Sequence, residues 1–310
     1  MKIKEYNRKE LKAIFNKGGN IVISPFIVNI QSSLPEVTKS IECLYSDYEL
    51  ITDDTSFTDF YVNICSRLFR WGYKPQARFY TDGRQPFLPL PLSQAFPFFE
   101  WGLNWCIAQY INTRLIIHSA VVEKNSQVFI FPGIPGAGKS TLCAGLINRG
   151  WRLLSDEMAM VDLDNYQVTP IVRPVGLKNE SIDIIKSFAP DAVFGKSFLD
   201  TSKGTVAHLK PSIKSVEQST KKGVCRWVIF PEYVPNAKLQ LVPISSAESV
   251  LKLAGNSFNY NVLGGAGFEA LCSLVEKSES FSFTYSCLDE AIMKFNELVE
   301  KDGNTHSVYL

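Results

Sequence analysis

The run Phe131-Pro132-Gly133-Ile134-Pro135-Gly136-Ala137-Gly138-Lys139-Ser140-Thr141 holds the residues of this chain best suited to chemistry. From Gly133 to Ser140 it has two glycines separated by four residues, then lysine and serine, the spacing of a loop that wraps nucleotide phosphates. Glycines reach positive φ and lack a Cβ, so successive N–H groups can converge on phosphate oxygens. Pro135, Gly136, Ala137 and Thr141 complete that cradle. Lys139 supplies a mobile positive charge for the terminal phosphates, and the Ser140 hydroxyl is a hard oxygen suited to Mg²⁺. The expected ligand is a nucleotide.

Other groups can serve the same chemistry. Asp156-Glu157 follows the apolar run Trp151-Arg152-Leu153-Leu154-Ser155. Where a strand ends near bound phosphates, one carboxylate can face a metal while its neighbour accepts a proton from an incoming hydroxyl. The plain alternative is a solvated acidic turn. His118 lies on the strand before the glycine loop, either beside the phosphates or as a satisfied core histidine. Arg173 and Lys178 can neutralise developing charge, or are ordinary surface cations. Lys203, Thr205 and His208 fall in one polar stretch that reads as a substrate loop or a simple connection. His306, near a frayed terminus, is assigned no role.

Patterning supplies the elements that must hold these groups. Val128-Phe129-Ile130-Phe131 reads as a buried strand, and Leu142, Leu146 and Ile147 fall at helical spacing before Gly150. Strand, glycine loop and helix together aim a helix N-terminus at an anion. Leu115–Val122 predicts a strand that turns at Asn125, and Met158–Leu163 with Tyr166–Ile171 predicts a hairpin across Asp164-Asn165. The sequence predicts a helix over Glu180–Phe188, a mobile polar loop over Asp191–Gly223, and strands at Cys225–Phe230, Lys238–Val242 and Phe281–Ser286. Helices are expected from Ser245, which opens a capping box, to Leu253, and over Phe268–Glu276 and Leu288–Glu300. Upstream, the pattern gives strands at Ile21–Ser24 and Phe26–Ile30 and a helix at Pro35–Tyr45. Alternating stretches follow within Phe57–Cys65, then a hairpin around Arg78–Gly83 and a proline-rich connector. Phe98–Ile111 reads as an apolar helix whose aromatic stripe is core.

The totals exclude several classes. With 310 residues, 45% hydrophobic and 20% charged, the chain is an ordinary globular composition with room for one large domain and a smaller one. A net charge of +1 gives no whole-molecule attraction to nucleic acid or membrane. No apolar run approaches the roughly 20 residues of a membrane span. The N-terminus lacks a secretory apolar region, so a cytoplasmic location is expected. Seven scattered cysteines suggest neither a zinc cluster nor a disulfide framework.

Together these segments resemble the HPr kinase/phosphorylase superfamily, and more closely its HPr-kinase-related kinase A branch. The resemblance is carried by Phe98–Cys106, His118–Val122, the glycine loop, Arg149–Glu157, Arg173–Asn179, Asp200–Leu209 and Asn259–Gly264. It implies an α/β P-loop catalytic domain related to phosphoenolpyruvate carboxykinase over residues 98–310, with a smaller α+β region over 1–97. It also implies transfer of the ATP γ-phosphoryl, with Mg²⁺, to a serine of a peptide or small protein. Asp156 falls on the family's general base, His118 on its catalytic histidine, and Ser140 and Glu157 on the metal side. The family usually has a second Asp where this chain has Glu157. Its proline-glycine-arginine substrate loop is also absent, with Lys203–Leu209 in its place, so HPr itself is not implied as acceptor. The branch's genomic neighbours imply a peptide acceptor, and the family's habit of assembling implies a homo-oligomer. Two other readings stay open: a kinase of small-molecule hydroxyls, and a non-catalytic module gated by nucleotide.

Overall fold

The chain leaves its first structural unit at Tyr110 and comes back to it at Val172. The computed structural model describes residues 1–52, 57–66 and 75–306, with side chains through Lys301. One unit comprises Met1–Tyr110 and Val172–Ser219, the other Ile111–Ile171 and Thr220–Leu310. This division differs from the boundary expected at residue 97. The helix Ala95–Tyr110 belongs to the first unit, where Phe79 packs so tightly on Gly102 that a Cβ there would lie 2.1 Å from its ring.

The first unit is built on a six-stranded sheet containing Gly19–Ile23, Phe26–Ser32, Phe60–Ser66 and Gln76–Thr81. Strict alternation makes one face apolar: Val28, Ile30, Val62, Ile64, Ala77 and Phe79 are all buried. Helices Arg8–Lys17 and Ala95–Tyr110 pack on that sheet, and Pro35–Leu44 packs against both of them. The expected proline connector contains the short strand Leu90–Pro91, which pairs with Gln76 and Ala77.

Residues 191–223 depart from the expected mobile loop. Phe198–Thr201 and Gly204–Leu209 form a hairpin, and Val175–Lys178 joins it in a three-stranded sheet. Ile213–Glu217 is a short helix capped by Ser212. The lysines that make this stretch look like a loop sit mostly outside the strands. Phe198, Val206, Ala207 and Leu209 carry the buried side.

The second unit has an eight-stranded mixed sheet. Arg114–Lys124 runs antiparallel to Gln127–Pro132, and Gln127–Pro132, Val224–Tyr233 and Glu279–Tyr285 lie parallel in that order. Leu115, Ile117, Val121, Val128, Ile130 and Val228 form one core layer with Leu253, Leu271 and Leu274 from helices Ser246–Gly255 and Gly265–Glu276. A second aromatic cluster joins Phe129, Phe131 and Phe283 to Phe295 of helix Leu288–His306. This last helix runs six residues past its expected end. The cysteines are unbridged. Among the described residues no helix is long and apolar enough to cross a membrane.

Candidate phosphate site

Helix Lys139–Ile147 begins without a side-chain cap. Its first intrahelical bond runs from Leu142 N to the Gly138 carbonyl, 2.9 Å. The N–H groups of Lys139, Ser140 and Thr141 therefore precede the helical ladder and have no intrahelical acceptor, and the helix dipole adds partial positive charge there. No acidic residue occupies the first turn. Gly133, Gly136 and Gly138 all have positive φ, at 153°, 93° and 88°. Gly138 must be glycine for a second reason. A Cβ there would sit 2.5 Å from the Tyr285 hydroxyl and 3.1 Å from Tyr233 Cβ.

Two parallel strands brace the loop from outside. Tyr233 N donates to the Ala137 carbonyl at 3.3 Å, and the Tyr285 hydroxyl donates to the Gly138 carbonyl at 3.1 Å. Burial pushes the Tyr285 phenol well above its usual value, so it stays a neutral donor. Neither tyrosine is singled out by local sequence, because the strand pairing that brings them here is long-range. Tyr285 is the next-to-last residue of the expected strand Phe281–Ser286, while Tyr233 lies beyond the expected end at Phe230, in the part of the strand that runs on to Tyr233.

Lys139 is 6% exposed. Its ammonium donates to the carbonyls of Gly133, 2.6 Å, and Ile134, 3.0 Å, curling back over its own loop. Ser140 and Thr141 are half-buried in the first turn.

The acidic pair reaches this end of the sheet by a different route from the one expected. Strand Arg152–Ser155 pairs with Arg114–Lys124 and is interrupted at Asp156-Glu157, but the chain then resumes pairing with the same strand as Met158–Asp162. Val121 opposes Ser155 and His118 opposes Met158, three residues on along each chain. The interruption is therefore a local bend and not the strand's end. Ser155 Oγ accepts from Met158 N at 3.1 Å and holds that bend. Ser119 opposes Pro132, the last residue before the glycine loop, and donates its N–H to the Glu157 carbonyl at 3.2 Å. Two interstrand spacings thus separate the mouth of the loop from the acidic pair, about 10 Å between Cα atoms.

Asp156 is 6% exposed and is not a solvated turn residue. Burial first, then the Asp156 charge, raises the pKa of the Cys143 thiol on the loop's own helix, so the carboxylate and that helix share one environment. Glu157 is the more exposed partner, and its Oε2 lies 3.7 Å from His118 Nε2. The His118 ring also stands 5.6 Å from Phe258, and the His118 main-chain N–H donates to the Asn256 carbonyl at 2.7 Å. The two strands beside the glycine-loop strand therefore carry a buried aspartate and a histidine–carboxylate pair about 10 Å from an uncapped helix N-terminus and a buried lysine. This set can bind a polyanion, hold a hydroxyl and accept its proton.

The remaining predicted residues lie in the first unit. Arg173 is 7% exposed and donates to the Glu100 carboxylate, the Glu100 carbonyl and Asn104 Oδ1. Tyr45 completes the cluster by donating to Glu100 Oε1 at 2.7 Å. Burial works against the Arg173 charge, but Glu100 and Tyr45 more than restore it and hold it above its usual value. Its surroundings fit a structural ion pair, unlike the charge-neutralising role expected. His208 is also buried, edge-on to Phe96 at 5.2 Å, so it faces core and not a substrate loop. Thr205 N is tied to Asn179 Oδ1 at 3.0 Å, and Lys178 opposes Val206 in the sheet. Lys203 sits in the exposed hairpin turn, where its N–H meets Thr201 Oγ1 at 3.1 Å.

No family model matches this chain, and no curated protein does. Among solved structures it is similar to the Hpr(Ser) kinase/phosphatase from Coxiella burnetii, at 13% identity and a TM-score of 0.25. The match covers 60% of this chain and 98% of that one. A likeness of this degree leaves the site's chemistry to be argued from its own residues.

Proposed function

We propose that the chain is a kinase that moves the γ-phosphoryl of ATP to a serine hydroxyl of a peptide or small protein. The observation that carries this reading is a buried Asp156 two strand spacings from a glycine loop whose helix begins uncapped. A nucleotide-binding module needs only the loop; a carboxylate kept out of water beside it suits proton removal.

The loop amides and the N–H groups of Lys139, Ser140 and Thr141 bind phosphate oxygens, with Gly133 to Gly138 leaving room for close approach. Lys139 gives up its carbonyl partners for the terminal phosphates. Asp156 takes the proton of the serine hydroxyl as the serine oxygen bonds to the γ-phosphorus and the bond from that phosphorus to the bridging oxygen breaks, leaving ADP. His118, oriented by Glu157, donates toward the transferring group. Among the described residues no set of three or more His, Cys, Asp or Glu is placed to hold a metal. Ser140 and Glu157 would hold Mg²⁺, an ion that keeps several waters and takes one or two protein oxygens plus phosphates. When bound, Mg²⁺ supplies charge neutralisation across the phosphates.

Asp156→Asn tests the reading. Transfer of label from γ-labelled ATP to serine peptides should fall about 10²- to 10⁴-fold, the range for losing a positioned base, while ATP affinity stays near wild type. Undiminished transfer in this variant removes Asp156 from the role of base.

A further inference from the structure

A column of aromatic rings rises out of the second unit's core and surfaces beside the glycine loop. Phe295 lies 4.8 Å from Phe283, Phe283 stacks on Tyr285 at 5.3 Å, and Tyr285 meets Tyr233 edge-on at 5.7 Å. The first three rings are 2% exposed or less, whereas Tyr233 is 46% exposed. Tyr233 and Tyr285 are register partners at the ends of the parallel strands Val224–Tyr233 and Glu279–Tyr285, so both side chains leave the same face of the sheet. Tyr233 Cβ stands 3.1 Å from the position a Cβ on Gly138 would take, which sets the ring directly against the loop. The chain beyond it is tied down as well. Val234 N donates to the Tyr285 carbonyl at 3.0 Å, and Ser286 Oγ donates to the Ala237 carbonyl at 2.8 Å. An exposed ring held this firmly loses little further freedom when a ligand lies on it.

Strand order decides what meets that ring. The glycine-loop strand Gln127–Pro132 runs between Arg114–Lys124 and Val224–Tyr233. The Asp156-Glu157 bend is paired to Arg114–Lys124, on one side of the loop, and Tyr233 ends the strand on the other. Gln127–Pro132, Val224–Tyr233 and Glu279–Tyr285 are parallel, so their C-terminal ends open on one edge, where open α/β sheets collect ligands. A nucleoside triphosphate gripped by its phosphates has two ends to place. With its γ-phosphoryl turned toward Asp156, its nucleoside leaves the loop on the Tyr233 side.

We propose that Tyr233 is the platform on which the base of the nucleotide stacks, and that the site favours purine over pyrimidine triphosphates. The proposal rests on the phosphate-binding loop and on a γ-phosphoryl that faces Asp156. A phenol ring offers an apolar face to a flat heterocycle, and stacking accepts any base because each has a π-face. A purine covers more of the ring than a pyrimidine does, which gives the preference its direction. The ring reads a face and not an edge, so Tyr233 itself makes no strong choice between adenine and guanine.

Calorimetric titration of the full chain with the magnesium complexes of ATP, UTP and inorganic tripolyphosphate separates base from phosphate. The wild type should bind ATP more tightly than UTP, and UTP more tightly than tripolyphosphate. Tyr233→Ala should weaken ATP about tenfold to a hundredfold, the range for one lost base stack, while tripolyphosphate affinity and the unfolding midpoint stay near wild type. Tyr233→Phe should keep ATP affinity. In Tyr233→Trp, ATP should quench indole fluorescence beyond the wild-type change, and tripolyphosphate should not. Equal wild-type affinity for ATP and tripolyphosphate, unchanged ATP affinity in Tyr233→Ala, or a parallel loss of both ligands in that variant overturns the proposal and leaves the loop as the phosphate site. Failure of all three ligands to bind the wild type removes the loop reading and the platform with it.

Discussion

Lys139 and Arg173 are both cations with less than a tenth of their surface exposed, yet their neighbourhoods give them opposite uses. Lys139 rests on two main-chain carbonyls of the loop that precedes it. Arg173 is locked onto Glu100 and Asn104 of one helix. Carbonyl dipoles can be exchanged for phosphate oxygens with a gain in charge complementarity. A buried carboxylate cannot be given up without leaving its own charge uncompensated. Residue type and spacing mark both cations as candidates; the carbonyl contacts of Lys139 and the carboxylate contact of Arg173 tell them apart.

The comparison breaks most sharply on substitution. Arg173→Met should lose about 3–5 kcal/mol of stability, because Glu100 is left charged and unpaired in a dry cluster; urea unfolding measures it. Lys139→Met should unfold near the wild-type midpoint while turnover falls about 10²- to 10³-fold, the loss typical of one oriented donor at developing charge. A stable but inactive Arg173→Met would return Arg173 to the catalytic set.

The glycine loop sharpens the contrast at smaller scale. Gly138→Ala forces an L-residue into φ near 88° and a Cβ against the Tyr285 hydroxyl, with about 1–2 kcal/mol from the backbone alone. Tyr285→Phe by itself should cost about 0.5–1.5 kcal/mol for the bond to Gly138. In the double variant the two costs should sum to more than is measured, because the hydroxyl that clashes is gone. Simple additivity in thermal unfolding would mean the loop is not braced by Tyr285.

The smallest effect is in pH. Asp47 of the first unit and Asp162 of the second are each clamped by two cations, Lys210 and Lys4 for one, Lys222 and Arg114 for the other. Burial raises both carboxyls, but the cations outweigh it and hold them below the usual 3.8. A lowered folded value means the stabilisation is complete above the unfolded value and fades as pH drops through the folded one. Acid unfolding should therefore steepen below about pH 4. Asp47→Asn and Asp162→Asn should each flatten it by about 1 kcal/mol or less.

Much of the site's skeleton is legible in the sequence because it is local. The glycine spacing, the apolar strand before it and the helical spacing after it all lie within 20 residues and recur as Gln127–Pro132 and Lys139–Ile147. What escapes is non-local. The return of Val172–Ser219 to the first unit depends on pairing of Val175–Lys178 with Gly204–Leu209, which no local pattern encodes. The lysines of residues 191–223 obscure a hairpin whose turn is nonetheless marked by positive φ at Asp200 and Gly204. The bend at Asp156-Glu157 reads as a strand end because the sequence cannot show that Met158 rejoins the same partner strand.

The central claim is that the Gly133–Ser140 loop is a phosphate cradle, and calorimetric titration of the whole chain with Mg·ATP tests it most directly. The account predicts saturable binding of one nucleotide per chain, abolished in Gly138→Val and weakened in Lys139→Met. Absent binding in the wild type, or undiminished binding in Gly138→Val, would contradict it.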